Sequence, residues 1–522
     1  MLTEFALADG EVREELRARS HLLERFWPVL SFTLATQTQR LPALDAMLAS
    51  SDERVGSLGV EALDHMMDAG HFSSSLNLEF GARALLSEWR PYHADGYESW
   101  FKAAYDRLVA LSNGDGALAQ RARQLIARHF REHVSAGFAD LAMDAMRQVR
   151  GNGFWEEGWR DVNDALHFQE RRDGKADRVG LVRLEQDMRP RTVDELFEAF
   201  VLGEPWRHWH PSGREKSPTR NVGLLARATG KCLVREVIEL GPYLSRATRR
   251  EGFNSARQFG VGLARATRDP EGLWRQACGA LEAHAPNQRN PSILDGVLKG
   301  SRIHSPNWVS GKLDEIVKDP LLGQHLVELH TAVPLDEAAI ERFRTALKEG
   351  RVAPDRFALL MAGGLTQTIP ASALARFLRE LFDHQDGALP ALQVLHMRIF
   401  GDRSDSLEVD KTLVDLGRDL LARPEIYSDD FARQDHDIDV IAKVTLRGEA
   451  GEQAARRICR AMVSAAKDKP HSYSDVGPIS PTVIRLHPRG DRRQVRKRPP
   501  DRWLLRGLAP QRRRIRAERD QY

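Results

Sequence analysis

The stretch from Gly70 to Arg83, GHFSSSLNLEFGAR, gathers the residue types of acyl-transfer chemistry: His71, three consecutive serines (Ser73, Ser74, Ser75) and Glu79. A nucleophilic serine needs more than neighbours in sequence. It needs a strained strand-to-helix turn, a base within hydrogen-bond reach and an oxyanion hole. These serines have no G-x-S-x-G context and no strand before them. The stretch reads instead as an inter-helix loop whose Phe72, Leu76 and Phe80 dock on flanking helices. No catalytic residue is assigned there.

Phosphate chemistry has two lookalikes. A P-loop requires G-x-x-x-x-G-K-[ST], because backbone N–H groups cradle the phosphates while the hydroxyl holds magnesium. Gly223 to Cys232 reads GLLARATGKC, with six residues between the glycines and Cys232 in place of the hydroxyl. The stretch Gly260-Val261-Gly262-Leu263-Ala264-Arg265 lacks the third glycine of a dinucleotide loop. Its small residues point to close helix packing. No cofactor site follows from either.

Metal chemistry has two leads. His208 and His210 in WRHWH are spaced i, i+2 and could chelate from an extended segment, but no third ligand is assignable. Asp435, Asp437 and Asp439 present carboxylates at i, i+2 and i+4. A calcium loop wants glycine sixth and glutamate twelfth, where this chain has Val440 and Leu446. Packed aromatic residues at the first and a solvated loop or helix start at the second are the readings adopted, with no metal site assigned.

The elements that would carry such groups are helical. In DEAAIERFRTALKEG (Asp336–Gly350), Ile340, Phe343 and Leu347 share one face. Asp336 suits a cap and Gly350 a left-handed stop. Pro370 to Gly387 repeats the design with Leu374, Phe377, Leu378 and Leu381. Asp355 to Ala362 reads as a shorter helix between them, Leu389 to Phe400 as its counterpart, and Ser406 to Ala422 as the next opening. Asp52 to Met67 and Gly116 to Val134 show the same stripe in the N-terminal third, and Thr192 to Glu195 fits a capping box for a helix through Val201. Strand signals are scarce. Paired helices with one apolar face bury it by stacking. The fold expected is all-α: degenerate HEAT-like helix pairs in an α-solenoid. Its regions are residues 1–203, a linker at 204–220, a second helical region at 221–480 and a basic, disordered tail at 481–522. A softer break falls near Arg302–Trp308.

The chain has 522 residues, 42% hydrophobic and 29% charged, an ordinary globular balance. No apolar run approaches the length of a membrane span, and the start, MLTEFALADGEVREEL, lacks the form of a signal peptide. Three widely spaced cysteines (Cys232, Cys278, Cys459) argue against a disulfide framework and fit the reducing cytoplasm. The net charge of +3 hides an asymmetry: Arg485–Tyr522 carries fourteen Lys and Arg against four acids, a charge of +10, leaving −7 for the rest. That tail could neutralise nucleic-acid phosphates, with Trp503 stacking. Its patternless Arg-, Pro- and Gly-rich text fits an out-of-frame or disordered segment better.

Several local texts together resemble one family: GHFSSSLNLEFGAR with Trp89-Arg90-Pro91, FWEEGWRDVNDAL (Phe154–Leu166), FGVGLA (Phe259–Ala264) with Trp274, Asp295-Gly296-Val297-Leu298 and Leu395-His396-Met397. They are similar to the C-terminal helical-repeat region of bacterial STAND-type, NACHT-like P-loop NTPases, some of which act in anti-phage defence. The resemblance spans roughly residues 5–480 and its motifs are structural. The NTPase module of that family has no counterpart here, so no NTPase activity carries over. The resemblance implies a truncated sensor arm, non-catalytic and without cofactors, whose partner is a protein: an NTPase module or a sensed foreign protein. A nucleic-acid-binding repeat protein using residues 485–522 is the alternative. No membrane partner is expected.

Overall fold

The computed structural model describes residues 2–8, 18–70, 88–151, 153–169, 178–203, 218–249, 255–362, 364–404, 408–427, 435–468 and 479–486. These residues form helices and turns, with no β-strand among them. They divide into two compact units: Met1–Ala266 with Pro286–Gln288, and Thr267–Ala285 with Arg289–Tyr522. Residues 221–266, expected in the second helical region, therefore belong to the first unit. The stretch 204–217 lies outside the described residues. No described helix is long and apolar enough to cross a membrane.

The first unit holds α1 (Leu2–Ala8), α2 (Ala18–Glu24), α3 (Gln37–Leu48), α4 (Glu53–Met66), α5 (Ala94–Ser112), α6 (Ala117–Ala136), α7 (Ala139–Arg150), α8 (Glu156–Gln169), α9 (Arg178–Met188), α10 (Val193–Phe197), α11 (Pro218–Arg235), α12 (Gly241–Ala247) and α13 (Ala256–Ala266). From α2 to α9 each helix packs on its successor or the next but one. The caps follow the sequence. The Asp52 carboxylate accepts the Arg54 N–H at the start of α4. Thr192 and Glu195 form the reciprocal capping box of α10, which runs into a π-turn at Glu198–Leu202. Leu58, Ala62, Leu63 and Met66 of α4 are fully buried, as the apolar stripe requires.

A buried cation ties the start of this unit together. The Arg40 guanidinium donates to the carbonyls of Ala35 (2.7 Å), Trp27 (3.0 Å) and Trp89 (3.2 Å) and to Ser31 Oγ (3.0 Å). It lies over the rings of Trp89 and Trp100, 5.2 and 5.3 Å from their centroids. Burial pulls its pKa down to about 10. Beside it, Leu30 and Phe32 adopt left-handed backbone (φ 56° and 50°), which costs a bulky residue energy. The Glu88 carboxylate accepts both of their N–H groups, at 2.8 and 3.2 Å, and holds the turn.

The second unit holds α14 (Pro270–Glu282), α15 (Ser292–Ser301), α16 (Pro306–Lys318), α17 (Leu326–His330), α18 (Glu337–Lys348), α19 (Ala371–Phe382), α20 (Ala388–Ser404), α21 (Lys411–Leu421), α22 (Asp435–Thr445), α23 (Gly448–Asp468) and α24 (Ile479–Leu486). Here too each helix packs on the next or the next but one. Asp336 caps α18 by accepting the Ala339 N–H at 2.9 Å, and Gly350 takes the left-handed φ of 64° after it. Phe343, Phe357 and Phe377 are fully buried, with ring centroids 5.1 to 6.1 Å apart. Fully burying a side chain of this size stabilises by about 1.5–3 kcal/mol.

Three local expectations are adjusted. The segment after Gly350 is a 3₁₀ helix, Pro354–Met361, rather than an α-helix. Its buried residues, Phe357 and Leu360, are three apart, which matches a three-residue turn. Gly387 does not close α19. That helix ends at Phe382, and the left-handed residue is Asp386 (φ 61°). Gly387 is required for space, since an added Cβ would lie 1.8 Å from the Leu381 carbonyl oxygen. Finally, α21 starts at Lys411, because the Asp410 carboxylate caps it through the Thr412 N–H (2.7 Å).

Candidate functional site

Most residues singled out for chemistry fall into two groups. His71, Ser73–Ser75, Glu79, His208, His210 and the tail from His487 onward lie outside the described residues. The Asp435–Asp439 stretch forms the first turns of α22 and its described acids serve pairing. Asp437 Oδ1 meets His396 Nδ1 of α20 at 3.0 Å, and Asp439 meets Lys443 at 2.6 Å and accepts from Thr482 of α24. Among the described residues no group of three His, Cys, Asp or Glu side chains is placed to hold a metal ion.

A titratable cluster that no local sequence pattern marks lies at the seam of α4 and α6. His129 Nε2 lies 2.6 Å from Asp64 Oδ1, and its Nδ1 lies 3.7 Å from Glu132 Oε2. Glu132 also accepts the Ala69 N–H at 3.2 Å, and Arg128 reaches Asp64 at 3.0 Å. Burial opposes the charge on His129, but its two carboxylate partners outweigh burial and raise its pKa. The same pairing holds Asp64 below its ordinary value against burial, and Glu132 likewise, chiefly through its bond with His129. One turn on, His133 is the opposite case. Its Nε2 bonds the Met67 carbonyl (2.6 Å), aromatic rings of Phe101, Tyr105 and Phe138 surround it, and burial lowers its pKa to about 4. Asp68 completes the cluster: it accepts from Trp27 Nε1 (2.8 Å), and burial raises its pKa. The arrangement is a cross-helix staple. Both ring nitrogens of His129 meet carboxylates, and no nucleophile is set against it among its described contacts.

The second unit carries a different feature, a strip of charge pairs crossing successive helices. Glu271 of α14 accepts from Trp308 (2.9 Å) and Lys312 (3.0 Å) of α16. Asp314 of α16 pairs with Arg342 of α18 at 2.7 Å. Glu341 and Arg344 of α18 engage Arg376 and Glu380 of α19, the latter at 2.5 Å. From α19, Arg379 and Asp383 reach Asp419 (3.6 Å) and Arg423 (2.6 Å) at α21. Asp419 then meets Arg457 of α23 at 3.4 Å. Many of these groups are about half exposed, so much of the strip is solvated.

The two phosphate-loop lookalikes are brought together. GLLARATGKC lies in α11 and FGVGLAR in α13, packed as neighbours in the first unit. The glycines are what permits it. A Cβ on Gly262 would fall 2.1 Å from the Arg227 carbonyl oxygen, and one on Gly230 would fall 2.5 Å from that of Phe259. Close helix packing through small residues, the sequence expectation, is what the seam shows. The seam also places Arg227 and Gln258 side by side, Nη2 to Oε1 2.5 Å. The signal that could have found this seam was present: two Gly- and Ala-rich helical segments, each with an arginine in register with its glycines. Compared with known proteins, the chain matches no family model and no curated protein.

Proposed function

We propose that the chain is a non-catalytic α-solenoid, its helix pairs stacked in HEAT-like fashion, that recognises a protein partner as a sensor or regulatory arm of a STAND-type NTPase. The observation that carries this reading is the strip of charge pairs from α14 to α23. A ladder that repeats from helix to helix is what a stack of equivalent elements produces, and such stacks bind through long, shallow surfaces. The packing of each helix on its next or next-but-one neighbour supports the same view. The described histidines of the staple support a structural use, since His129 meets two carboxylates and His133 Nε2 bonds a carbonyl. The family assignment rests on the shared local texts named above.

The test is a photo-crosslinking scan. A crosslinker placed at Arg376, Arg379 or Arg457 in the full chain should trap a protein partner in cells. Placed at an exposed site off the strip, such as Lys102, it should not. A charge-reversed strip (R376E with R457E) that traps the same partner equally well would refute the reading.

A further inference from the structure

In the second unit, α20 and α22 bring two imidazoles together. His396 of α20 is 7% exposed, and its Nδ1 lies 3.0 Å from the Asp437 carboxylate of α22. Its Nε2 is buried and meets no hydrogen-bond partner among the described residues. The ring of His436, one residue before Asp437, stands across from it, centroids 5.6 Å apart and planes at 89°. His436 is exposed. The carboxylate of Asp439 is taken by Lys443 and Thr482. A buried nitrogen without a partner calls for an explanation, but is not by itself distinctive. His133, His325 and His330 each leave Nδ1 in that state. His133 sits among aromatic rings, and both nitrogens of the imidazole beside it, His129, meet carboxylates. His325 has the Glu328 carboxylate at 3.7 Å, and His330 faces the Arg342 guanidinium at 3.4 Å. His396 differs from all three: one nitrogen is held by a carboxylate, the other is unpartnered, and an exposed imidazole lies alongside.

We propose that His396 and His436 form a two-imidazole site for a late first-row divalent cation, of the zinc and nickel class, with Asp437 orienting His396. A metal-binding histidine commonly gives its other N–H to a carboxylate, which fixes the tautomer and makes the free nitrogen more basic. The contact with Asp437 supplies that arrangement and leaves Nε2 as the lone-pair nitrogen. The spacing fits as well. With metal–nitrogen bonds of 2.0–2.1 Å, two imidazoles on one tetrahedral ion have centroids about 5 Å apart, against the 5.6 Å found here. Imidazole ligands favour zinc, nickel and copper over the hard cations calcium and magnesium. The rest of the coordination shell is left to water or to a group from outside the chain, which the exposure of His436 permits. The site does not depend on the solenoid reading. Either can fail while the other stands.

The experiment titrates the full chain, stripped of metal with a chelator, with zinc chloride and nickel chloride, against magnesium and calcium chloride. Calorimetry and thermal unfolding give the readouts. Zinc and nickel should bind saturably and raise the melting temperature, and magnesium and calcium should do neither. His436→Ala carries the test, because His436 is exposed and the variant should melt like the wild type without metal, whereas His396 is buried and its loss would disturb packing. H436A should weaken zinc binding by about tenfold or more, since a single imidazole remains. The other paired histidines of the chain serve as the control: H208A with H210A should leave the zinc affinity attributed to this site in place. Three results would overturn the proposal: zinc and nickel no better than magnesium, an H436A affinity equal to wild type, or saturable binding that disappears with H208A and H210A.

Discussion

The two units solve the same problem, joining helices side to side, with polar groups placed at different depths. In the first unit several of the ties are buried: Arg40 between two tryptophans, His129 between two carboxylates, His133 among aromatic rings, and Trp159 donating to buried Glu185 at 3.0 Å. In the second unit many of the ties between helices lie nearer the surface as the charge strip, beside a few buried ones (Arg398 with Asp402, His396 with Asp437), and an aromatic core centres on Phe343, Phe357 and Phe377. The difference teaches where single residues matter. A buried polar group cannot be replaced by water, so its loss strands its partners. A surface pair exchanges its partner for solvent at small cost.

The largest expected effects test the buried ties against the apolar core. Arg40→Ala should destabilise the first unit by about 3–5 kcal/mol, because it leaves three carbonyls without their donor and removes packing between Trp89 and Trp100. Phe377→Ala should cost the second unit about 3–5 kcal/mol as a cavity. Hydrogen exchange read on peptides from each unit should show the loss confined to the mutated one. Loss spread evenly over both would break the comparison. Next comes Gly262→Ala. With only 2.1 Å to the Arg227 carbonyl oxygen, the added methyl must part α11 from α13, for about 1–3 kcal/mol. Chemical denaturation measures it, and a neutral result would mean the helices part freely.

An effect of middle size is a pH profile with two limbs. His133, with its pKa lowered to about 4, contributes stability that is complete above the unfolded value near 6.5 and is lost as pH falls toward 4. His129, with its pKa raised, contributes stability complete below about 6.5 and lost as pH rises through its folded value. Asp68, also raised, works against His133 on the acid side, so the variants are compared by difference. His133→Phe should flatten the acid limb, and His129→Gln the alkaline one, in unfolding followed by tryptophan fluorescence. Unchanged profiles would show that the staple does not govern the unit. The smallest effect belongs to the strip: Arg344→Gln should cost no more than about 1 kcal/mol and less at high salt. A larger, salt-independent loss would mean the strip is structural in the way the buried ties are.

Much of the local architecture is written in short-range patterns. The stripe of Ile340, Phe343 and Leu347 and the caps at Asp52, Asp336 and Thr192 each involve residues within a turn or two, so spacing alone identifies them. The 3₁₀ form of Pro354–Met361 was partly legible, in the three-residue spacing of Phe357 and Leu360. The candidate sites were not. His129 and Asp64 are 65 residues apart, His396 and Asp437 are on separate helices, and nothing local couples them.

The amino-acid order by itself determined that this chain is helical, where many of its helices begin and end, and which faces are apolar, because those properties follow from backbone hydrogen bonding and a 3.6-residue period. Only the tertiary structure decided that two glycine-rich stretches would pack together, with Gly262 against the Arg227 carbonyl and Gly230 against that of Phe259. Charge and depth are properties of what surrounds a side chain, and the surroundings are assembled from segments that sequence distance keeps apart.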